Sequence, residues 1–388
     1  MSKYKSPFSL GYRKPLVVTS DDPRANNGSV YSRYGREIYV QDKTKTIKLR
    51  KYGFEWISKF ADSAQYVYFT NIKSIGNIIL VGGGNDTPPN YGAVFKSTDV
   101  GETWTQKYDI PVDVYGSLQA SSTHFFIFDT VFMNAYYKNL QLYDPYVPMY
   151  YTNIYSSTDG ETWTLTQISA YSGLYGSGNG KVFFEAKEFE NLILTEETYY
   201  GYPVYDVTLS DKVYTSNNDG TFTKNSVTST RPIPGSGNNS YAYGNNKYVA
   251  VNYGGEAWYS ENLLDWIASS GTNVSIESVR FINNKFIGVS WGWNQGAIST
   301  DGITWDNWNQ PDYYILDIGY TNGVYMLIGS YVPSYYSYDM ITWTALALRE
   351  DSYVYQAEWE QMLAKNNRLI AVGFPSTQGN PSIITIDI

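Results

Sequence analysis

One string recurs along this chain. Residues 97–104 read STDVGETW, residues 157–163 STDGETW and residues 299–305 STDGITW. Residues 337–343 repeat it as SYDMITW, with weaker copies in SNNDGTF (216–222) and SENLLDW (260–266) and a worn one in LRKYGFEW (49–56). A second signature sits upstream of most copies, an Asn-rich turn followed by an apolar run: NNKYVAV (245–251), NNKFIGV (283–289), TNGVYMLIG (321–329) and KNNRLIAVG (365–373). Asn-Asn and Asn-Gly suit the positive φ angles of tight hairpins, and runs of Val, Ile, Tyr and Phe suit strands.

Each unit thus reads as four antiparallel strands, A to D. The Asn turn joins A to B, the apolar run is B, the Ser-Thr-Asp turn joins C to D, and D leaves from the Trp. One stretch, EAKEFENLIL (185–194), looks briefly helical, but it falls where the repeat demands a strand pair. Four-stranded units at a repeat of about forty residues specify a single all-β propeller, because one such sheet cannot bury both faces and a closed ring can. Eight blades are expected, with seven as the alternative. The last unit supplies only three strands, and KPLVVTS (14–20) is expected to close the ring as its fourth. Residues 1–29 are then an N-terminal arm carrying the closing strand, and residues 30–388 the propeller.

The 388 residues include 40 Tyr and 11 Trp, but one His and no Cys. Without Cys there is no disulfide framework, thiol catalysis or Cys-ligated zinc. The one histidine, His124, lies in a strand-like run and reads as a hydrogen-bonded structural residue; no metal site and no cofactor is expected. A net charge of −9 disfavours nucleic acid. The basic residues of the first fifty positions, among them Arg13, Arg24, Arg33, Arg36 and Arg50, read as a solvated stretch. No apolar run reaches the length of a membrane span, so insertion is not expected. The opening MSKYKSPFSLGYRKP has no apolar leader region, which implies a cytoplasmic location, or a virion tail if the chain is phage-encoded.

The recurring Ser, Asp, Gly, Thr and Trp resemble the Asp-box, or BNR repeat, of sialidase-like propellers, over roughly residues 50–345. Most family copies hold one residue between Asp and Gly, as STDVGETW does; the other copies here drop it. The resemblance implies a turn in which Asp and Ser side chains bond backbone N–H groups while Trp packs between sheets. On that reading Asp99, Trp104, Asp159, Trp163, Asp219, Asp301, Trp305, Asp339 and Trp343 are structural. Repetition supports this, since a catalytic carboxylate is needed once or twice and not in every unit. The resemblance also implies a sialidase, which would need an arginine triad, a Tyr–Glu nucleophile pair and an acid Asp. No arginine occurs between Arg50 and Arg231, and the family's Arg-Ile-Pro motif is missing. Arg231, Arg280 and Arg349 are the remaining candidates for a triad, and a non-enzymatic protein is expected.

Long insertions fall almost entirely between strands B and C, at 82–92, 129–153 and 195–211, in neighbouring units. They and the shorter B–C loops are rich in aromatics, and the candidate ligand-binding residues are Tyr136, Tyr143, Tyr146, Tyr150, Tyr199, Tyr202, Tyr205, Trp291, Trp293 and Tyr335. Such rings offer large area, little rotamer entropy and a polar tip, which suits sugar faces and protein contacts. The expectation is a host-surface recognition propeller, a phage tail or tail-fibre component binding cell-surface polysaccharide or teichoic acid. Other tail proteins would dock on the N-terminal arm, and the chain could form a homo-oligomer. The alternatives are a sialidase-type glycoside hydrolase and a structural propeller gripping another protein.

Overall fold

The computed structural model describes short strands within residues 15–51 and, in the remainder, residues 57–60, 67–85, 92–110, 117–133, 136–137, 149–168, 170–199, 202–227, 241–252, 255–271, 275–346, 358–375 and 382–388. The chain divides into two compact units, Met1–Glu55 and Trp56–Ile388. The first holds one antiparallel sheet in chain order: β1 (Pro15–Leu16), β2 (Ser29–Arg33), β3 (Glu37–Gln41) and β4 (Thr46–Lys51).

The second unit opens with β5 (Ile57–Phe60) and continues as consecutive blades. Blade 1 is β6 (Val67–Ile75), β7 (Ile78–Asn85), β8 (Gly92–Ser97) and β9 (Thr105–Ile110). Next come β10 (Gln119–Ala120), β11 (Phe125–Met133), β12 (Tyr136–Tyr137), β13 (Met149–Ser157) and β14 (Thr164–Ile168), which form blade 2 except for β12. Blade 3 is β15 (Ala170–Gly178), β16 (Lys181–Tyr199), β17 (Tyr202–Ser216) and β18 (Phe222–Ser226). Blade 4 is β19 (Tyr241–Gly244), β20 (Lys247–Val251), β21 (Ala257–Ser260) and β22 (Ile267–Ala268). Blade 5 is β23 (Ser278–Ile282), β24 (Lys285–Val289), β25 (Gln295–Ser299) and β26 (Asp306–Asn309). Blade 6 is β27 (Ile315–Thr321), β28 (Val324–Gly329), β29 (Tyr335–Ser337) and β30 (Thr344–Ala345). Blade 7 is β31 (Glu358–Lys365), β32 (Arg368–Phe374) and β33 (Ile383–Asp387), completed by β5. The EAKEFENLIL stretch is strand, inside β16.

This is an all-β propeller of seven blades, which corrects the count of eight. The closing strand is corrected with it. Pro15–Leu16 pair with Tyr31 and Val30 inside the first unit. The fourth strand of the last blade is instead β5, with Thr385 opposite Ile57 and Ile383 opposite Phe60. The worn repeat ending at Trp56 explains the miscount. In other blades the Trp immediately precedes strand D, as Trp104 precedes β9 and Trp163 precedes β14. Trp56 likewise precedes β5, so the repeat ending there supplies strand D of the three-stranded last blade, while the strands before it form the separate sheet of the first unit.

The hairpins follow the asparagines. Asn245 and Asn246 have φ of 47° and 59°, Asn283 and Asn284 49° and 60°, and Asn366 and Asn367 48° and 62°. Asn tolerates this region at little cost, and two such residues in succession make the turn that matches strand twist. Some of these side chains also tie blades together: Asn245 Nδ2 donates to Thr300 O of the next blade at 2.7 Å.

The repeated C–D turn is a joint between blades. In blade 5, Ser299 Oγ donates to Asp301 Oδ1 at 3.0 Å and accepts from Gly302 N at 2.8 Å. Asp301 Oδ1 accepts from Ile303 N at 2.8 Å and Thr304 N at 2.9 Å. The same bonds recur around Asp99, Asp159 and Asp339. Asp219 keeps only the bonds from Thr221. Gly302 has φ 75°, and a Cβ there would strike Val249 of blade 4. Gly160 likewise abuts Leu80 of blade 1 and Gly101 abuts Ile370 of blade 7. The tryptophans fill the same seams: Trp305 packs with Val249, Val251 and Phe286, and Trp163 with Leu80 and Val94. His124 belongs to this framework, lying against Gly220 of blade 3, with Nδ1 3.0 Å from Thr123 Oγ1.

Two outcomes test the joint. Trp305, 3% exposed, should cost about 3–5 kcal/mol when changed to Ala, read by denaturant unfolding. The box carboxylates are held low: partial burial alone would raise Asp99, but bonds from the Thr103 side chain and backbone bring it down to about 2. The Thr304 N–H foremost, against partial burial, lowers Asp301. Depressed folded values mean that their stabilisation is complete above about pH 4 and is lost as pH falls toward about 2. Blade 4 has Asn262 in the Asp place, accepting from Leu264 N at 2.8 Å and Asp265 N at 2.9 Å. Asp301→Asn should therefore keep the wild-type Tm at neutral pH and flatten its acid loss, whereas Asp301→Ala should lower stability by about 1 kcal/mol.

Candidate functional site

Antiparallel order places A–B and C–D turns on one rim and B–C and D–A loops on the other. The box aspartates occupy the first rim, away from the aromatic loops. On the second rim, β16 and β17 run 19 and 15 residues, far beyond the 3–10 typical of strands. Their hairpin extends to Tyr199 opposite Tyr202. Strand β12, from the B–C insertion of blade 2, joins this hairpin in parallel, Tyr136 opposite Val204 and Tyr137 opposite Tyr205. The insertions of neighbouring blades thus meet in one sheet extension. Tyr150 lies on β13 opposite Phe132. Tyr143 and Tyr146 lie outside the described residues.

Among the described residues the most exposed aromatic side chains lie on blades 5 and 6. Trp291 (40% exposed) and Trp293 (56%) come from the B–C loop of blade 5. Tyr313 (53%) and Tyr314 (46%) come from the D–A loop leading to blade 6, and Tyr331 (66%) from the B–C loop of blade 6. Five large rings exposed on one rim form an aromatic ledge of a kind that marks a binding surface. Tyr335 supports it from below: half-buried, it donates to Asp312 Oδ2 at 2.9 Å.

The ledge is held by a buried amide. Gln310 Oε1 accepts from Ser290 N at 2.8 Å, while Nε2 donates to Ser290 O and Trp293 O, both at 3.0 Å. The loops also bond directly, Gly292 N to Tyr313 O at 2.6 Å and Ser330 N to Tyr314 O at 2.9 Å. Trp291 and Tyr314 form an isolated antiparallel bridge, with ring centroids 5.7 Å apart. Two backbone conformations make the arrangement possible: Gly292 at φ 91°, and Tyr331 at φ 56°, where a bulky residue is strained. A side chain at Gly329 would run into Tyr314 O.

Sequence reasoning found Trp291, Trp293 and Tyr335 but not Tyr313, Tyr314 or their clamp Gln310. The signal was QPDYYIL (310–316), two adjacent tyrosines after a Pro-Asp turn, in a D–A connection rather than the longer B–C loops. Among the described residues no group of three or more His, Asp or Glu could hold a metal ion. Of the candidate arginines, Arg280 is taken up by Asp317, with Nε to Oδ1 at 2.9 Å and Nη2 to Oδ2 at 2.6 Å. Arg231 and Arg349 lie outside the described residues.

No family model matches the sequence, and no curated protein matches it. Among solved structures the chain is similar to YCF48 from Cyanidioschyzon merolae, with 15% identity, 86% of this chain and 98% of that chain covered, and TM-score 0.53. It is similar to YCF48 bound to D1 peptide, with 14% identity, 88% and 98% covered, and TM-score 0.50. Virginiamycin B lyase from Staphylococcus aureus, solved with quinupristin, gives 9% identity, 86% and 98% covered, and TM-score 0.53. The shared feature is the β-propeller. At these identities the likeness is one of fold alone.

The clamp makes a distinct prediction. Gln310→Leu leaves the buried Ser290 N–H and the Ser290 and Trp293 carbonyls without their partner. Global stability should fall by about 2–3 kcal/mol, measured by urea unfolding, with a red shift of tryptophan emission from the loosened ledge.

Proposed function

We propose that the chain is a non-enzymatic recognition propeller that holds a cell-surface polysaccharide or teichoic acid on its B–C and D–A rim. The observation that carries this is the ledge of Trp291, Trp293, Tyr313, Tyr314 and Tyr331, exposed together and braced by Gln310. Sugars present flat C–H faces bordered by hydroxyls. Exposed rings stack on the former, while Asp312 and the loop amides can exchange hydrogen bonds with the latter. Rings already fixed by a buried amide lose little entropy on binding, which raises affinity without new contacts. The Tyr- and Asn-rich β composition supports the further step to a phage tail or tail-fibre component, with other tail proteins as neighbours.

A second reading, capture of a protein segment, is favoured by the similarity to YCF48, one structure of which holds D1 peptide. Aromatic ledges suit both ligands, and the experiment separates them. Cell walls are prepared intact, stripped of teichoic acid, oxidised with periodate, or digested with protease. The glycan reading expects adsorption that survives protease and is lost on stripping or oxidation. In the double variant Trp293→Ala, Tyr331→Ala adsorption should fall at least about tenfold, with Tm nearly unchanged because both rings are exposed. Protease-sensitive adsorption supports the protein reading. Adsorption undiminished in the double variant overturns the ledge as the site.

A further inference from the structure

The innermost strands of the ring surround a cavity of about 210 Å³, smaller than the roughly 300–1,000 Å³ of sites for drug-sized molecules. Its walls come from blades 1 to 5, through Lys73, Gln119, Tyr175, Tyr241, Tyr243 and Arg280 among others. Each of these side chains leaves its strand near the A–B turn, so the cavity lies toward the rim opposite the aromatic ledge. None of the box aspartates lines it.

Its polar groups are incompletely matched. Gln119 is 2% exposed, and its Nε2 has no hydrogen-bond partner among the described residues, although a buried amide donor normally finds one. Arg280 is neutralised by its two bonds to Asp317. Lys73 is not: its ammonium has Gln361 Oε1 at 3.2 Å and no ion pair among the described residues. Burial first, and then Arg280, push this lysine down to about 7 against the opposing pull of Asp317. A half-buried cation without a carboxylate partner and an orphaned amide donor line the same cavity, and a ligand that brings an acceptor to each would satisfy both.

We propose that this cavity binds a small organic carboxylate, one oxygen meeting Lys73 Nζ and the other Gln119 Nε2, with the organic part against Tyr175, Tyr241 and Tyr243. The charge tally selects the ligand class. Arg280 is balanced by Asp317, and the Tyr241 hydroxyl is bonded to Glu185 Oε1 at 2.9 Å, so Lys73 is the one wall cation left for a ligand, which suits a single carboxylate better than a phosphate dianion. Tyrosine walls suit a hydroxylated carbon skeleton. Two sources share this chemistry, a free hydroxy acid and an acidic sugar unit.

The test uses the full chain and isothermal titration with lactate, glucuronate, neutral glucose and inorganic phosphate. The expected result is saturable binding of at least one carboxylate, with neither glucose nor phosphate bound at ~10 mM, a concentration that reveals millimolar affinity. Preference for lactate identifies a hydroxy acid and preference for glucuronate an acidic sugar. Lys73→Met should weaken binding about tenfold or more with little change in Tm, since the half-buried ammonium is held by a bond to Gln361 Oε1 alone among the described residues. Gln119→Leu should weaken it several-fold, and stands in for Lys73→Met should that variant fail to fold. Carboxylate binding unchanged in both variants, absent at ~10 mM, or weaker than that of phosphate overturns the site.

Discussion

The structure depends on the seam between blades. Each four-stranded sheet presents apolar side chains to both faces. All six residues of β28 are buried, as are four of the five in β20. A sheet of that kind has no stable existence alone, because each face needs another sheet against it. Only a closed ring supplies two neighbours to every blade, which is why the last blade borrows β5 from the start of the second unit. The box turn makes the seam reproducible. It satisfies its own backbone donors with one Ser and one Asp or Asn, and its positive-φ residue, Gly in four of the six described copies, lets the turn approach the preceding blade. The Trp then fills the remaining space. The positive-φ position itself varies. Leu263 (φ 70°) and Met340 (φ 62°) occupy it in blades 4 and 6 while the Ser-to-backbone bond persists.

A second set of couplings runs nearer the axis, through polar groups. Strands β6, β27 and β31 each carry a register shift, after Phe69, Ile315 and Trp359. A glycine faces each shift on the partner strand: Gly83, Gly329 and Gly373, where a Cβ would meet the opposing backbone. The extra residue re-aims the strand, and the next position is buried and polar: Asn71, Asp317 or Gln361. These reach across blades. Arg280 of blade 5 holds Asp317 of blade 6, whose Oδ2 accepts from Met362 N of blade 7 at 2.7 Å. Gln361 of blade 7 accepts from Ile72 N of blade 1 at 2.8 Å. Blades 5, 6, 7 and 1 are thus linked in series across the point of ring closure. The Asp317 charge, wholly buried, is tolerable because five donors meet it.

The architecture was legible where physics is local. Ser, Asp and Gly within four residues make a turn whatever surrounds them, and Asn-Asn makes a hairpin. The blade count was not local. Strand β5 pairs with β33 more than three hundred residues away, and nothing in ISKF distinguishes a fourth strand of its own unit from one lent to another. Blade 2 misled in the opposite sense, since β12 leaves its own sheet to extend that of blade 3. The ledge was half legible. Trp291 and Trp293 stood out as bulky residues beside glycine, but Tyr313 and Tyr314 share their surface only because Gln310 binds both loops, a contact between side chain and backbone that leaves no periodic trace. The orphaned amide of Gln119 was beyond reach, since a glutamine in a strand has no signature of what it lacks.

The two rims follow from this division of labour. On the box rim, Ser and Asp side chains consume the backbone donors, and the turn must fit the preceding blade, so the C–D turns themselves have little freedom to vary. On the opposite rim no turn is repeated from blade to blade, and the length of the connections can change without disturbing the ring. Blades 2 and 3 use that freedom to build a sheet extension from β12, β16 and β17. Blades 5 and 6 use it in another way, with short loops locked by one buried amide and a strained Tyr331. Tyr331 holds its positive φ while 66% exposed, so the strained loop presents the ring to solvent and not to the core.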